Sequence, residues 1–291
     1  MSNTKRSIVK DIEAMGSIKD FIVAHEEIAA NNMRRIRDAV VSRRDFLKEL
    51  TTLYNEIKAS YKKEFEELTA HVRDPNKAKL NYFKKNSKTA CVFFSTNTGL
   101  YGDIVKTTYA LYKDYLKREK ADAVVIGKTG KKILEEDAPG LAFAYFDFPD
   151  TSMDNELLKP IVLDIIQYEK VIIFHSKFQT LLHQTPTAFV ISENELDSHN
   201  NDSQLRYIFE PSLEKIIEFF EKEIFSSIFE QTMRESHLSK FASRMVTLDA
   251  ASENIKRNLS NLFSKKRHVE HQLENKAQLN SLSRMVLSKR V

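Results

Sequence analysis

Three groups of residues in this chain have types and spacings that could do chemistry. Gly127-Lys128-Thr129 invites a phosphate-loop reading, in which backbone N–H groups cradle an anion and the lysine reaches it. Such a loop needs another glycine five residues earlier, and Asp122 stands there. Gly99-Leu100-Tyr101-Gly102 lies between an apolar run and a helical stretch, as a dinucleotide fingerprint would, but lacks its three-glycine spacing. A tight strand-to-helix turn is the preferred reading. His268, His271 and Glu274, at i, i+3 and i+6, could surround a metal. Three ligands on one helix without a second element make a weak site, so solvated polar side chains are preferred. His175 and His183 are isolated and read as structural. With no Ser/His/Asp or Cys/His grouping, and no carboxylate pair placed for a cleft, the sequence offers no catalytic residue, cofactor site or metal site.

The elements that would position these groups fall into a simple plan. From Glu214 to Val291 there is neither proline nor glycine, and from Met1 to Asp74 nothing breaks a helix except Gly16. The other breakers, from Pro75 to Pro211, all lie between. On the first helix Met15, Ile22, Ala29, Ile36, Leu50 and Ile57 form one seven-residue row; Ile12, Met33, Val40, Leu47, Tyr54, Tyr61 and Leu68 form another, offset by three. That is the seam of a coiled coil. Lys19, Glu26 and Arg43 interrupt it. The last helix carries Leu238, Met245 and Leu259 beside Phe241, Leu248, Ile255, Leu262 and Val269, and its seam fades after Val269.

Between the helices the period becomes extended. Strands are expected at 89–95, 123–126, 141–148, 171–174 and 187–191, with helices over 103–120, 130–136 and 153–168, the last interrupted near Pro160. The fold class is therefore α/β: a long antiparallel coiled coil of N- and C-terminal helices with an inserted Rossmann-like α/β domain. The expected domains are 1–74, the N-terminal helix; 75–205, the insert; and 206–291, the C-terminal helix.

Composition narrows the function classes. The 45 basic and 41 acidic residues leave a net charge of only +4, too balanced for a dedicated nucleic-acid binder. The 30% charged content suits long exposed helices. The lone Cys91 reads as a buried strand residue in a reducing compartment. No apolar run approaches the ~20 residues that cross a bilayer, so the expectation is no direct membrane insertion. Arg34, Arg35, Arg37, Arg43 and Arg44 make one section of the first helix strongly basic, read first as a solvated face and more sharply as a contact to an acidic partner surface.

Six motifs, in order, resemble the gamma subunit of the F-type ATP synthase, the central rotor shaft. Ala29-Ala30 with Met33-Arg34-Arg35 is similar to the family's N-terminal Ala-Ala-Ser-Lys-Met-Arg-Lys. Ser95-Thr-Asn-Thr-Gly-Leu-Tyr-Gly102 resembles its turn ending Gly-Leu-Cys-Gly, with Tyr101 where Cys is usual. Val124-Val-Ile-Gly-Lys-Thr-Gly130, Ile172 to Phe178 with Pro186, and Tyr207-Ile-Phe-Glu-Pro211 look like three further family motifs. Glu235-Ser236, Ser243-Arg244-Met245 and Ala250-Ala251 with Asn254 match the signature of the C-terminal helix. Departures lie at Asp20 to His25 and at Ser264 to Asn275, where only Lys265, Arg267 and Glu274 persist.

The resemblance implies a non-catalytic shaft without a cofactor, coupling ion-driven rotation to ATP synthesis or hydrolysis. It implies as partners the alpha and beta subunits of the catalytic ring, the epsilon subunit and the membrane c-ring, with no nucleic acid. Arg34, Arg35, Arg244, Met245, Lys265, Arg267 and Glu274 are the implied contacts to the catalytic ring, and Tyr207 and Glu210 those to the membrane-ring foot. The place implied is peripheral, on the cytoplasmic face of the cell membrane. A shaft of a repurposed F-like motor and a coiled-coil scaffold are the alternatives.

Overall fold

A computed structural model of the chain describes residues 3–60, 86–151, 153–191 and 213–288. Tyr207, Glu210, the polar stretch 197–204 and the expected helix beyond residue 60 lie outside them. The elements run α1 (Asn3–Ser60), β1 (Thr89–Phe94), α2 (Ile104–Arg118), β2 (Asp122–Ile126), α3 (Lys128–Asp137), β3 (Phe143–Phe146), α4 (Asn155–Ile165), β4 (Lys170–Phe178), β5 (Gln184–Ile191) and α5 (Leu213–Ser288). They divide into two compact units, Met1–Ala30 with Arg244–Val291, and Asn31–Ser243.

In the first unit, α1 and α5 run antiparallel. Ile22 packs with Leu248 and Ile255, flanked by Met15, Ala251 and Leu259, and Lys5 pairs with Glu270 at 2.8 Å. These are the seven-residue rows of the sequence, and they pair because each row is an apolar stripe on a polar helix. From His271 to Met285 every residue is exposed, where the sequence seam had already faded.

The second unit holds a five-stranded sheet in the order β3-β2-β1-β4-β5. The pairs β2–β3, β1–β2 and β1–β4 are parallel, and β4–β5 is antiparallel. β1, β2 and most of β4 are buried on both faces, which is why they read as continuous apolar runs rather than alternating ones. On one face Val92, Phe94, Val124 and Ile173 pack against Leu158, Ile161 and Ile165 of α4 and Phe229 and Met233 of α5. On the other, Phe93 and Phe174 meet Tyr112 of α2 at ring-centroid distances of 5.3 and 5.4 Å. Each such fully buried side chain contributes about 2–3 kcal/mol by removal from water. Cys91 is buried in β1, and burial pushes its thiol up to about 12, so it packs as a small apolar residue.

The α1 segment of this unit also runs antiparallel to α5. Gln231 donates to the Val40 carbonyl, and Tyr54 with Leu50 packs on Ile224, Phe220 and Ile228. Arg43, which interrupts the sequence seam, is accommodated by Glu230. This carboxylate is 6% exposed, lies 2.8 Å from Arg43 and also accepts from Arg234.

One local expectation is corrected. α4 runs unbroken through Pro160, which sits on its exposed face, where water can satisfy the Glu156 carbonyl that has lost its donor. In the turn after β1, Leu100 (φ 69°) and Gly102 (φ 60°) take the left-handed conformation, whereas Gly99 does not.

Candidate functional site

In a parallel sheet of this kind, ligands bind beyond the carboxyl ends of the strands, where neighbouring strands depart to opposite sides. Here that point is the end of β1, flanked by β2 and β4. The crevice is filled by the chain itself. Lys240 of α5 donates from Nζ to the Ser95 carbonyl at 2.7 Å, and Ser243 donates to the Tyr101 carbonyl at 2.8 Å. Ser176, at the end of β4, donates to the Ser236 carbonyl at 3.4 Å.

The phosphate-loop candidate is closed in the same way. The first N–H groups of α3 are already used, that of Lys128 on the Asn97 side chain and that of Thr129 on the Thr96 carbonyl, each at 2.8 Å. A Cβ at Gly127 (φ 107°) would lie 2.8 Å from the Thr96 nitrogen, and one at Gly130 would lie 2.5 Å from the Ser95 Cβ. These glycines let the β1 turn settle on the helix end, leaving no cradle for an anion.

The turn is held by carboxylates instead. Asp150 accepts from the Asn97 and Thr98 backbone N–H groups, the Thr98 hydroxyl and the Tyr101 phenol. The Asn97 amide donates to Asp147 at 2.6 Å and to the Phe148 carbonyl at 3.0 Å. That bond, reinforced by Lys128, holds the Asp147 carboxyl below the usual carboxylate range, and Asp147 in turn raises the Lys128 ammonium. Burial pushes Lys240 down to about 8 against the opposing attraction of Asp150. Burial likewise lowers His175 to about 4 and His237 to about 3, so both rings are neutral at pH 7.

Of the implied ring contacts, Arg34 and Arg35 are exposed on α1 within Asn31–Ser243. In the other unit Lys265, Arg267 and Glu274 are exposed along α5, Met245 is half-buried and Arg244 is buried. Within Arg244–Val291 they are strung along α5. His268 lies beside Gln272, and His271 lies 3.6 Å from Glu274, with no metal-binding cluster among the described residues. His175 is buried and His183 exposed. Sequence reasoning missed Lys240, Asp150, Asn97 and Glu230. The one available signal was the small face Ser236, Ser239 and Ser243 around Lys240, a helix surface made for close approach.

The crevice where an α/β sheet of this kind would take a ligand is thus occupied by α5 of the same chain. The chain belongs to the ATP synthase family, whose pattern it matches over residues 4–269. It is 25% identical over 265 residues to the ATP synthase gamma chain of Christiangramia forsetii, covering 87% of each chain. It is 24% identical over 268 residues to that of Cytophaga hutchinsonii, covering 86% of this chain and 87% of the other. Among solved structures, it resembles a chain of the Euglena gracilis mitochondrial ATP synthase OSCP/F1/c-ring assembly, with a TM-score of 0.55 at 13% identity over 88% of this chain and 94% of that one. A chain of the Tetrahymena thermophila mitochondrial ATP synthase central stalk and c-ring gives 0.55 at 16% identity, over 80% and 99%. The gamma-subunit resemblance drawn from the six motifs agrees with these relatives.

Proposed function

We propose that this chain is the non-catalytic central shaft of an F-type ATP synthase, coupling rotation to ATP synthesis and hydrolysis. The observation that carries the reading is the family match over residues 4–269 to relatives named as gamma chains. The filled ligand edge of the sheet supports it, since a shaft needs no nucleotide of its own. A shaft off-centre in a ring of catalytic sites favours a different conformation at each, and turning it changes which site binds tightly.

The partners in this reading are the alpha and beta subunits of the catalytic ring, the epsilon subunit and the membrane c-ring. Arg34, Arg35, Lys265, Arg267 and Glu274 are exposed and suited to sliding polar contact with the ring. Tyr207 and Glu210 are assigned to the membrane-ring foot on the resemblance alone. Among the described residues no helix is long and apolar enough to cross a membrane, so the chain would be held peripherally, on the cytoplasmic face, by its partners.

The test is to purify the tagged chain from its native cells in mild detergent and to assay the eluate. Recovery of an ATPase ring together with a proteolipid ring and ion-dependent activity is expected. An ATPase ring without proteolipid would favour the repurposed motor, to which the departures at 20–25 and 264–275 point. No ATPase at all would sink the reading.

A further inference from the structure

Lys240 is the one lysine of α5 buried at the sheet, 4% exposed, and its ammonium ends on the Ser95 carbonyl. Its neighbours on the same helix face are small. Ser236 and Ser239 are wholly buried and, among the described residues, their hydroxyls have no protein partner. They allow close approach without binding anything, and beside them Lys240 and Ser243 make side-chain bonds from α5 to the turn. The turn itself is costly: Leu100 is in a left-handed conformation and half-exposed, so nothing local favours it. Asp150 gathers the N–H groups of the turn on one side, and Lys240 holds the Ser95 carbonyl on the other.

We propose that Lys240 is a positioning residue that pins the Ser95–Gly102 turn to α5, so that sheet and helix move as one body when the chain turns. Only the consequence for turning rests on the rotor reading; the pin itself is a property of the chain alone. A hydrophobic side chain of similar length would fill the space at lower desolvation cost. The cation therefore gives up stability in exchange for fixing one register between helix and sheet.

The ionisable groups facing Lys240 are Asp150 from the segment after β3, His175 from β4 and His237 from α5 itself. Both histidines are already neutral well below pH 7, which leaves Lys240, near 8, as the group of this cluster that titrates between pH 7 and 9.

The test is hydrogen exchange on the full chain. Lys240→Met should raise exchange at the Asn97 and Thr98 amides on the order of tenfold, the loss expected for one charge-assisted bond, with β2 and β4 unchanged. Ser243→Ala should give a smaller rise at the same turn. Should Lys240→Met fail to fold, the wild-type chain still decides. After correction for intrinsic rates, protection of Asn97 and Thr98 relative to β4 should fall between pH 7 and 9. A turn that stays within twofold across that range, or a rise in the variant spread evenly over the sheet, would overturn the pin. A chain that shows the pin yet joins no ATPase would instead overturn the rotor reading.

Discussion

The same two helices are used differently in the two units. In Met1–Ala30 with Arg244–Val291 they hold each other through a thin stripe, Ile22 with Leu248 and Ile255, and a half-exposed ion pair, Lys5 with Glu270. In Asn31–Ser243 they are built into a large core. Phe229 and Met233 of α5 face the sheet, Glu230 is locked between two arginines, and Lys240 reaches the sheet edge. The first arrangement buries little and leaves α5 exposed from 271 to 285; the second commits α5 to one position. A region that must engage a changing partner is served by the first, and a region that must transmit force by the second.

The largest effect that would sharpen this contrast is Phe229→Ala. It empties a fully buried site packed edge-on against Phe94 and stacked with Phe225, and should cost about 4 kcal/mol in denaturant unfolding. Glu230→Ala should cost roughly 3 kcal/mol, because it leaves Arg43 and Arg234 facing each other without their carboxylate. A loss no larger than that of an exposed ion pair would show the network to be incidental.

Acid should act on the sheet unit. His175 and His237 are held below the 6.5 of a free imidazole, at about 4 and 3. The unfolded chain therefore takes up protons first as pH falls, so this stability is full above pH 6.5 and is lost progressively down to about pH 3, the His175 share by about pH 4. A melting temperature flat across that window would contradict the burial of these rings. The smallest effect is expected at the other unit, where Glu270→Gln should leave the melting temperature unchanged within error, as exposed pairs usually do.

What could be read from the sequence was whatever is periodic. The seven-residue rows gave both long helices and the seam residues Ile22, Val40, Tyr54, Leu248 and Ile255, all of them buried. The apolar runs gave five strands, although β4 extends to Phe178, past the expected end at 174, because pairing with β5 carries it through the polar Ser176 and Lys177. Lys240 could not be found this way. Its partner is a backbone carbonyl 145 residues distant in sequence, and a lysine in a charged helix reads as solvated. Pro160 and Leu100 were missed for a related reason, since solvent access and tertiary holding decided conformations that local propensity disfavours.

The measurement that tests the central claim most directly is rotation. Lys132 is exposed on α3 and the native Cys91 is buried, so Lys132→Cys gives a single reactive thiol for a bead on the assembled, surface-fixed complex. ATP should drive the bead in one direction with threefold stepping. Steady ATP hydrolysis beneath a bead that does not turn would contradict the account.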